Sequence, residues 1–345
     1  MNDITVLVTA AGNQYMLGLV DCLKNNGERN IRLIAADMSN DPTILQMMDV
    51  LYQVPKATDP AYVDVLLDIC QKEHVDVVIP VMSAELVALV ENKGRFEEIG
   101  TKVSVADLRS IEISNNKLKL YQFMKENGME IPKFAPLRNT NELDEAFSKA
   151  GYPNNAVCAK ATELSGSRGI RIIDPTKSRF DILFGEKPNS FYISYEEFKQ
   201  ILSEREDMPE MMVMEALPGD EFSVDLVADH GKVVYMAARQ SNSIIASIPQ
   251  EATLFHEEKA YEICRTIIEK LGLDGNADLD FRYDKNGNPV LMEINPRVAA
   301  TMAIFKEGGM NLPYLRIKQL LGEELPKIEI KTGIKMKRRF LEMFC

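Results

Sequence analysis

Residues 277–297 read "ADLDFRYDKNGNPVLMEINPR". Asn-Gly between two arms of alternating apolar and polar residues is a strong short-range hairpin signal. Residues two apart in a strand share a face, so Glu293 and Asn295 project together, and pairing across the turn brings Asp280 beside them. Two carboxylates and an amide oxygen are the hard donors that Mg²⁺ takes when it also keeps waters and phosphates. Arg297 lies two residues further along, with a forked guanidinium suited to a phosphate oxygen, and Pro296 ends the ladder for want of an N–H. The flanking "ADL" and "VLM" are core-facing, which disfavours a merely solvated hairpin face.

Upstream, "ITVLVTAAG" (4–12), "IRLIAAD" (31–37) and "VDVVIPVMS" (75–83) are continuous apolar strands of the kind that parallel sheets bury on both faces. Helical patterns at 15–27 and 61–74 separate them. This β-α-β-α succession predicts a doubly wound sheet with ligands at the C-terminal strand ends. The first turn offers Gly12 and Gly18 but no G-x-G-x-x-G, so a dinucleotide-binding oxidoreductase is disfavoured.

A boundary is expected near 105–115. Beyond it, "ISNNKLKLYQFMKENG" (113–128) predicts a helix with Ser114 as N-cap and Gly128 as its stop. A helix from about Asn141, a strand at 155–161, the turn "LSGSRG" (164–169) and a returning strand at 169–174 follow. Further strands are expected at 211–217, 221–229 and 232–241, with helices at 194–204 and 258–272. Lys160, set among Val157, Cys158 and Ala159, needs an anion, and phosphate is the natural one. The small residues of "SGSRG" suit a cover over a triphosphate, although hairpin turns favour Gly and Ser for backbone reasons as well. No P-loop motif occurs.

The chain has 345 residues, 46% apolar and 27% charged, an ordinary globular composition with room for two or three cores. Three scattered histidines leave Ser-His-Asp chemistry and histidine metal sites poorly supplied, and five cysteines without C-x-x-C spacing suit a reducing compartment. A net charge of −12 argues against general nucleic-acid binding. The exception, "KMKRR" (335–339), reads as a solvated or phosphate-facing strand. No leader and no 18-residue apolar run is evident, so a cytoplasmic location without membrane contact is expected.

Together, Lys117 opening a helix, Lys160 before "SGSRG", "VMEALPGDEFSVD" (213–225), "DLDF" (278–281) and "EINPR" (293–297) resemble the ATP-grasp superfamily. The likeness is strongest to single-unit proteins similar to the carbamoyl-phosphate synthetase large subunit and covers nearly the whole chain. It implies a fold of mixed α/β and α+β class. A doubly wound, Rossmann-like pre-ATP-grasp domain (1–110) would precede a two-lobed ATP-grasp domain (111–345) with antiparallel sheets. That domain would comprise a flexible lobe at about 130–215 and a metal and phosphate lobe at about 216–345. The resemblance further implies that Lys117, Lys160, Ser165, Gly166 and Ser167 contact the phosphates of ATP. Glu215, Ala216 and Leu217 would lie against adenine, with Glu221 on the ribose. Asp280, Glu293 and Asn295 would hold one or two Mg²⁺, or Mn²⁺, while Arg297, Arg239 and Lys160 would act on the transferred phosphoryl group. One departure is Asp280, where the synthetases usually carry glutamine. The implied activity is ATP-dependent ligation of a small-molecule carboxylate to an amine through an acyl phosphate, possible in a homodimer. A nucleotide-binding regulator without turnover is the alternative. Loops near Asn13, Ser83 and Glu85 are candidates for choosing the acid.

Overall fold

The computed structural model describes residues 2–345 other than Ser165, Pro188, Asn189, Ala246 and Ser247. The chain forms two compact units: residues 1–114, 221–281 and 294–345 make the first, and 115–220 with 282–293 the second.

The N-terminal third runs β1 (Ile4–Thr9), α1 (Met16–Lys24), β2 (Ile31–Asp37), β3 (Val50–Gln53), α2 (Tyr62–Glu73), β4 (Val77–Ile79), α3 (Leu86–Glu91), α4 (Lys93–Glu98), β5 (Lys102–Val103) and α5 (Leu108–Ser114). Its strands pair in parallel in the order β3-β2-β1-β4-β5, the expected doubly wound sheet. Burial on both faces explains the continuous apolar runs, with Val6, Leu7 and Val8 fully buried in β1. Helix α1 turns Met16, Leu19, Cys22 and Leu23 into the same core.

The second unit begins at α6 (Lys117–Glu126) and continues through β6 (Phe134–Leu137), α7 (Leu143–Ala150), β7 (Val157–Ala161), β8 (Arg171–Ile173), α8 (Arg179–Gly185), α9 (Tyr195–Leu202) and β9 (Met211–Glu215). The cap of α6 is Asn116, whose side chain accepts from Lys119 N at 2.9 Å. Ser114, expected in that role, instead ends α5, because its backbone completes the preceding helix. The antiparallel sheet has the order β6-β9-β7-β8, so β9 inserts between strands that precede it in the chain. Val157, Ala159 and Val213 face α7 through Phe147 and Leu143. The opposite face carries Cys158, Met212 and Met214 against Leu118 and Tyr121 of α6.

The chain then forms β10 (Glu221–Asp229), β11 (Lys232–Ile245), β12 (Ile248–Phe255), α10 (Glu258–Leu271), β13 (Gly275–Tyr283), β14 (Pro289–Asn295), α11 (Ala303–Glu307), α12 (Leu312–Leu320) and β15 (Lys335–Lys337). These strands lie in the order β14-β13-β10-β11-β12-β15. "KMK" is thus a strand, antiparallel to β12 at Thr253–Glu251. Within the first unit, Val298, Met302, Tyr314 and Ile317 join the core of the N-terminal sheet. Asn311 Nδ2 donates to Cys22 O at 2.7 Å, and Lys306 and Lys318 pair with Asp21 and Glu28 at 2.6 and 2.8 Å. No described helix is long and apolar enough to cross a membrane.

Candidate active site

In the second unit, β7 points Lys160 to the same face as Cys158, in register with Met212 of β9. Lys160 is 7% exposed, and no hydrogen bond or ion pair to its ammonium occurs among the described residues. A buried, uncompensated cation of this kind is costly without an anion, which fits a phosphate ligand. Lys117, first residue of α6, is also buried. Its backbone N–H donates to Thr162 O at 3.0 Å, and its ammonium reaches Glu293 Oε2 at 3.1 Å and Leu164 O at 3.2 Å. A cation at a helix N-terminus opposes the helix dipole, and Glu293 offsets that cost.

The turn after β7 has Gly166 and Ser167 at φ 66° and 59°, while Ser165 lies outside the described residues. Gly169 is required there, since a Cβ would fall 2.7 Å from that of Ala161. At the end of β9, Glu215 N donates to Lys133 O and Ala216 N to Ala156 O, and Leu217 packs in the apolar cluster around Tyr121. Gly219 lets the chain pass Tyr283: a Cβ would sit 2.5 Å from the tyrosine Cβ.

In the first unit, one face of the sheet carries a polar row. Ser223 and Asp225 alternate along β10, Arg239 lies opposite Ser223 on β11, and Asp278 and Asp280 alternate on β13. Ser223 Oγ donates to Asp280 Oδ1 at 2.5 Å, and Asn295 Nδ2 donates to Asp280 Oδ2 at 3.3 Å. The amide oxygen of Asn295 and the remaining lone pairs of Asp280 are hard donors, a set that fits Mg²⁺. Glu293, also on β14, belongs to the second unit.

Arg239 is 3% exposed, so it is not a surface residue; its Nε donates to Asp225 at 2.9 Å and its Nη2 to Asp278 at 3.1 Å. Burial works against its charge, but Asp225, Asp278 and Asp280 outweigh it and raise its pKa. Burial pushes Asp225 upward, opposed by Arg239 and assisted by Asp278. Arg297 approaches Asp278 at 3.8 Å and donates to Val298 O at 3.1 Å. Glu221 opens β10, and its carbonyl accepts from Gln240 at 2.8 Å.

Sequence reasoning missed Ser223, Asp225 and Asp278. Their period of two in "SVD" and "DLD" was the available signal. Glu85, in one of the loops expected to choose the acid, is 2% exposed, and its carboxylate accepts from Thr9, Tyr62 and the backbone of Val81 and Met82. Its role is to hold the 81–85 turn on β1.

Residues 207–339 match the family model described as ATP-grasp in the biosynthetic pathway with Ter operon, and residues 6–104 match a PylC-like N-terminal domain. Residues 207–339 are thus similar to an ATP-grasp family. The chain is 21% identical over 319 residues to the arginine-specific carbamoyl phosphate synthase large chain of Bacillus subtilis, covering 87% of itself but 28% of that relative. Among solved structures it resembles the biotin carboxylase domain of Hydrogenobacter thermophilus 2-oxoglutarate carboxylase, a dimer in complex with MgADP, ADP and bicarbonate. The TM-score is 0.69 at 18% identity, with 96% of this chain and 73% of that one covered. It also resembles an L-amino acid ligase from Bacillus licheniformis, with TM-score 0.64 and 16% identity, covering 92% and 74%. The expected fold class agrees with these neighbours.

Proposed function

We propose that this protein is an ATP-grasp enzyme, an ATP-dependent carboxylate–amine ligase acting through an acyl phosphate. The observation that carries the reading is the polar row on one sheet face, Asp278, Asp280 and Asn295 with Arg239 and Arg297, which combines hard oxygen donors with guanidinium groups. Lys160 and Lys117 would bind phosphate oxygens, assisted by backbone and side chains of Ser165, Gly166 and Ser167. Glu215, Ala216 and Leu217 would line adenine and Glu221 the ribose. Asp280, Glu293 and Asn295 would hold Mg²⁺, which, when bound, supplies charge neutralisation at the phosphates.

In the reaction, an oxygen of the substrate carboxylate attacks the γ-phosphorus of ATP, the bond to the β-phosphate oxygen breaks, and ADP leaves. An amine then attacks the acyl carbon, phosphate departs with the C–O electron pair, and the nitrogen loses a proton to solvent. Lys160 and Arg297 hold the equatorial oxygens, so catalysis rests on positioning and electrostatics. No side chain forms a covalent bond, consistent with buried Cys22, Cys70, Cys158 and Cys264. The protein is read as acting in the cytoplasm on small molecules, with 1–110 as the pre-ATP-grasp domain and 111–345 as the ATP-grasp domain.

One observation favours a second reading, a nucleotide-binding regulator: the Lys117–Glu293 ion pair engages a metal ligand. Mg²⁺-dependent ADP release against pools of amino and other carboxylic acids separates the two. Acid-dependent release, reduced at least about a hundredfold in Glu293→Gln, supports the ligase. Nucleotide binding without release supports the regulator, and the absence of nucleotide binding removes both.

A further inference from the structure

The C-terminal strand brings one more cation to the polar face. Arg338 directly follows β15, and its backbone N–H donates to Gln250 O at 2.8 Å, continuing the β12–β15 pairing. Its Nε donates to Pro249 O at 2.8 Å and its Nη2 to Ala300 O at 2.7 Å. Neither acceptor carries a formal charge, and no carboxylate lies within ion-pair distance of Arg338 among the described residues. The side chain is only partly exposed.

Ala300 ties this guanidinium to the active site. Arg297 donates to Val298 O, two residues before the carbonyl that Arg338 holds, so both guanidiniums are fastened to one short segment, 298–300. Burial and the nearby Arg239 lower the pKa of Arg338, which is the mark of a cation held against like charge with no acid to relieve it. Arg239 itself keeps a buried Nη1 without an acceptor among the described residues. Every other partly or wholly buried arginine of this face has an aspartate partner: Arg239 has two, and Arg297 shares one of them. A fixed, half-buried guanidinium with an open edge is built to meet an anion that arrives from solution.

We propose that Arg338 binds the carboxylate of the acid substrate, beside Arg297, which in the ligase reading holds oxygens of the transferred phosphoryl group. The inference rests on the ligase reading and adds a residue to it, one delivered by the strand that the basic run "KMKRR" forms. The other anion it could meet is a nucleotide phosphate, and the two differ in which Michaelis constant responds.

The test uses the full chain with ATP, Mg²⁺ and pools of the twenty amino acids, of di- and tricarboxylic acids and of sugar acids, reading ADP release. Arg338→Gln keeps an N–H donor at the position of Nε for Pro249 while removing the charge, and Arg338→Lys restores the charge. With the acid that supports release, Arg338→Gln is expected to raise the acid KM by about tenfold to a hundredfold. The ATP KM, the affinity for a fluorescent ATP analogue and the melting temperature should stay near wild type, and Arg338→Lys should recover part of the loss. An unchanged acid KM, or a rise confined to the ATP KM, overturns the inference and leaves the ligase reading intact. No release by the wild type with any pool removes the ligase reading, and the assignment of Arg338 falls with it.

Discussion

At the scale of single residues, the polar row shows how charge is carried inside a sheet. Arg239 satisfies Asp225 and Asp278 through separate nitrogens, so removing it strands buried Asp225 and leaves Asp278 with Arg297 alone, at 3.8 Å. Arg239→Met is therefore expected to cost about 3–5 kcal/mol, read as a lower midpoint in urea unfolding. Arg239→Lys should recover only part, because an ammonium cannot span both acids in the fixed geometry of a guanidinium. Gly219 makes the corresponding point about shape. Gly219→Ala places a methyl 2.5 Å from Tyr283 Cβ and 2.7 Å from its carbonyl oxygen, backbone that cannot yield cheaply. A loss of about 1–3 kcal/mol is expected from this overpacking, visible as a drop in melting temperature.

At the scale of elements, local signals specified helix and strand well and their limits less well. The "ISNNK" stretch offers Ser and Asn as competing caps, and Asn116 wins because its side chain reaches Lys119 N while its amide also donates to Glu163 at 3.0 Å. Asn116→Ala should cost about 1 kcal/mol by thermal unfolding. Helix α1 and the turn that follows it are fastened by ion pairs, Asp21 on the helix and Glu28 after it, with a defined pH response. Burial raises the pKa of Asp21, but hydrogen bonds from Lys306 and Asn25 outweigh it and the net shift is downward. Lys318 lowers that of Glu28, against a smaller effect of burial. Both carboxylates titrate below their ordinary values of 3.8 and 4.5, so their contribution is complete above about pH 4.5 and fades as pH falls through the lowered values. Amide exchange in 16–24, corrected for intrinsic rate, should accelerate at pH 3.5 relative to pH 6; equal protection at both would remove these pairs as fasteners.

At the scale of the whole molecule, the first unit is assembled from three separate stretches of chain. The N-terminal sheet shares its core with Val298, Met302, Tyr314 and Ile317. A fragment ending at residue 114 would expose Leu19, Cys22 and Leu23, and it is expected to bind a hydrophobic dye and to lack a cooperative melt; a sharp transition would show that the sheet closes its core alone. The sequence by itself determined the parallel N-terminal sheet, the hairpin at 277–297 and the isolated Lys160 of an apolar strand, because period, turn chemistry and a lone charge among apolar residues are local properties. The order of its motifs pointed to the likeness that residues 207–339 bear to an ATP-grasp family. Only the tertiary structure decided that β9 inserts between β6 and β7, that Arg239 is spent on Asp225 and Asp278, that Glu85 is a buried hub, and that Arg338 reaches Ala300. Each of these depends on partners 14 to 76 positions apart in the chain or on strand order, where no local pattern specifies which groups meet.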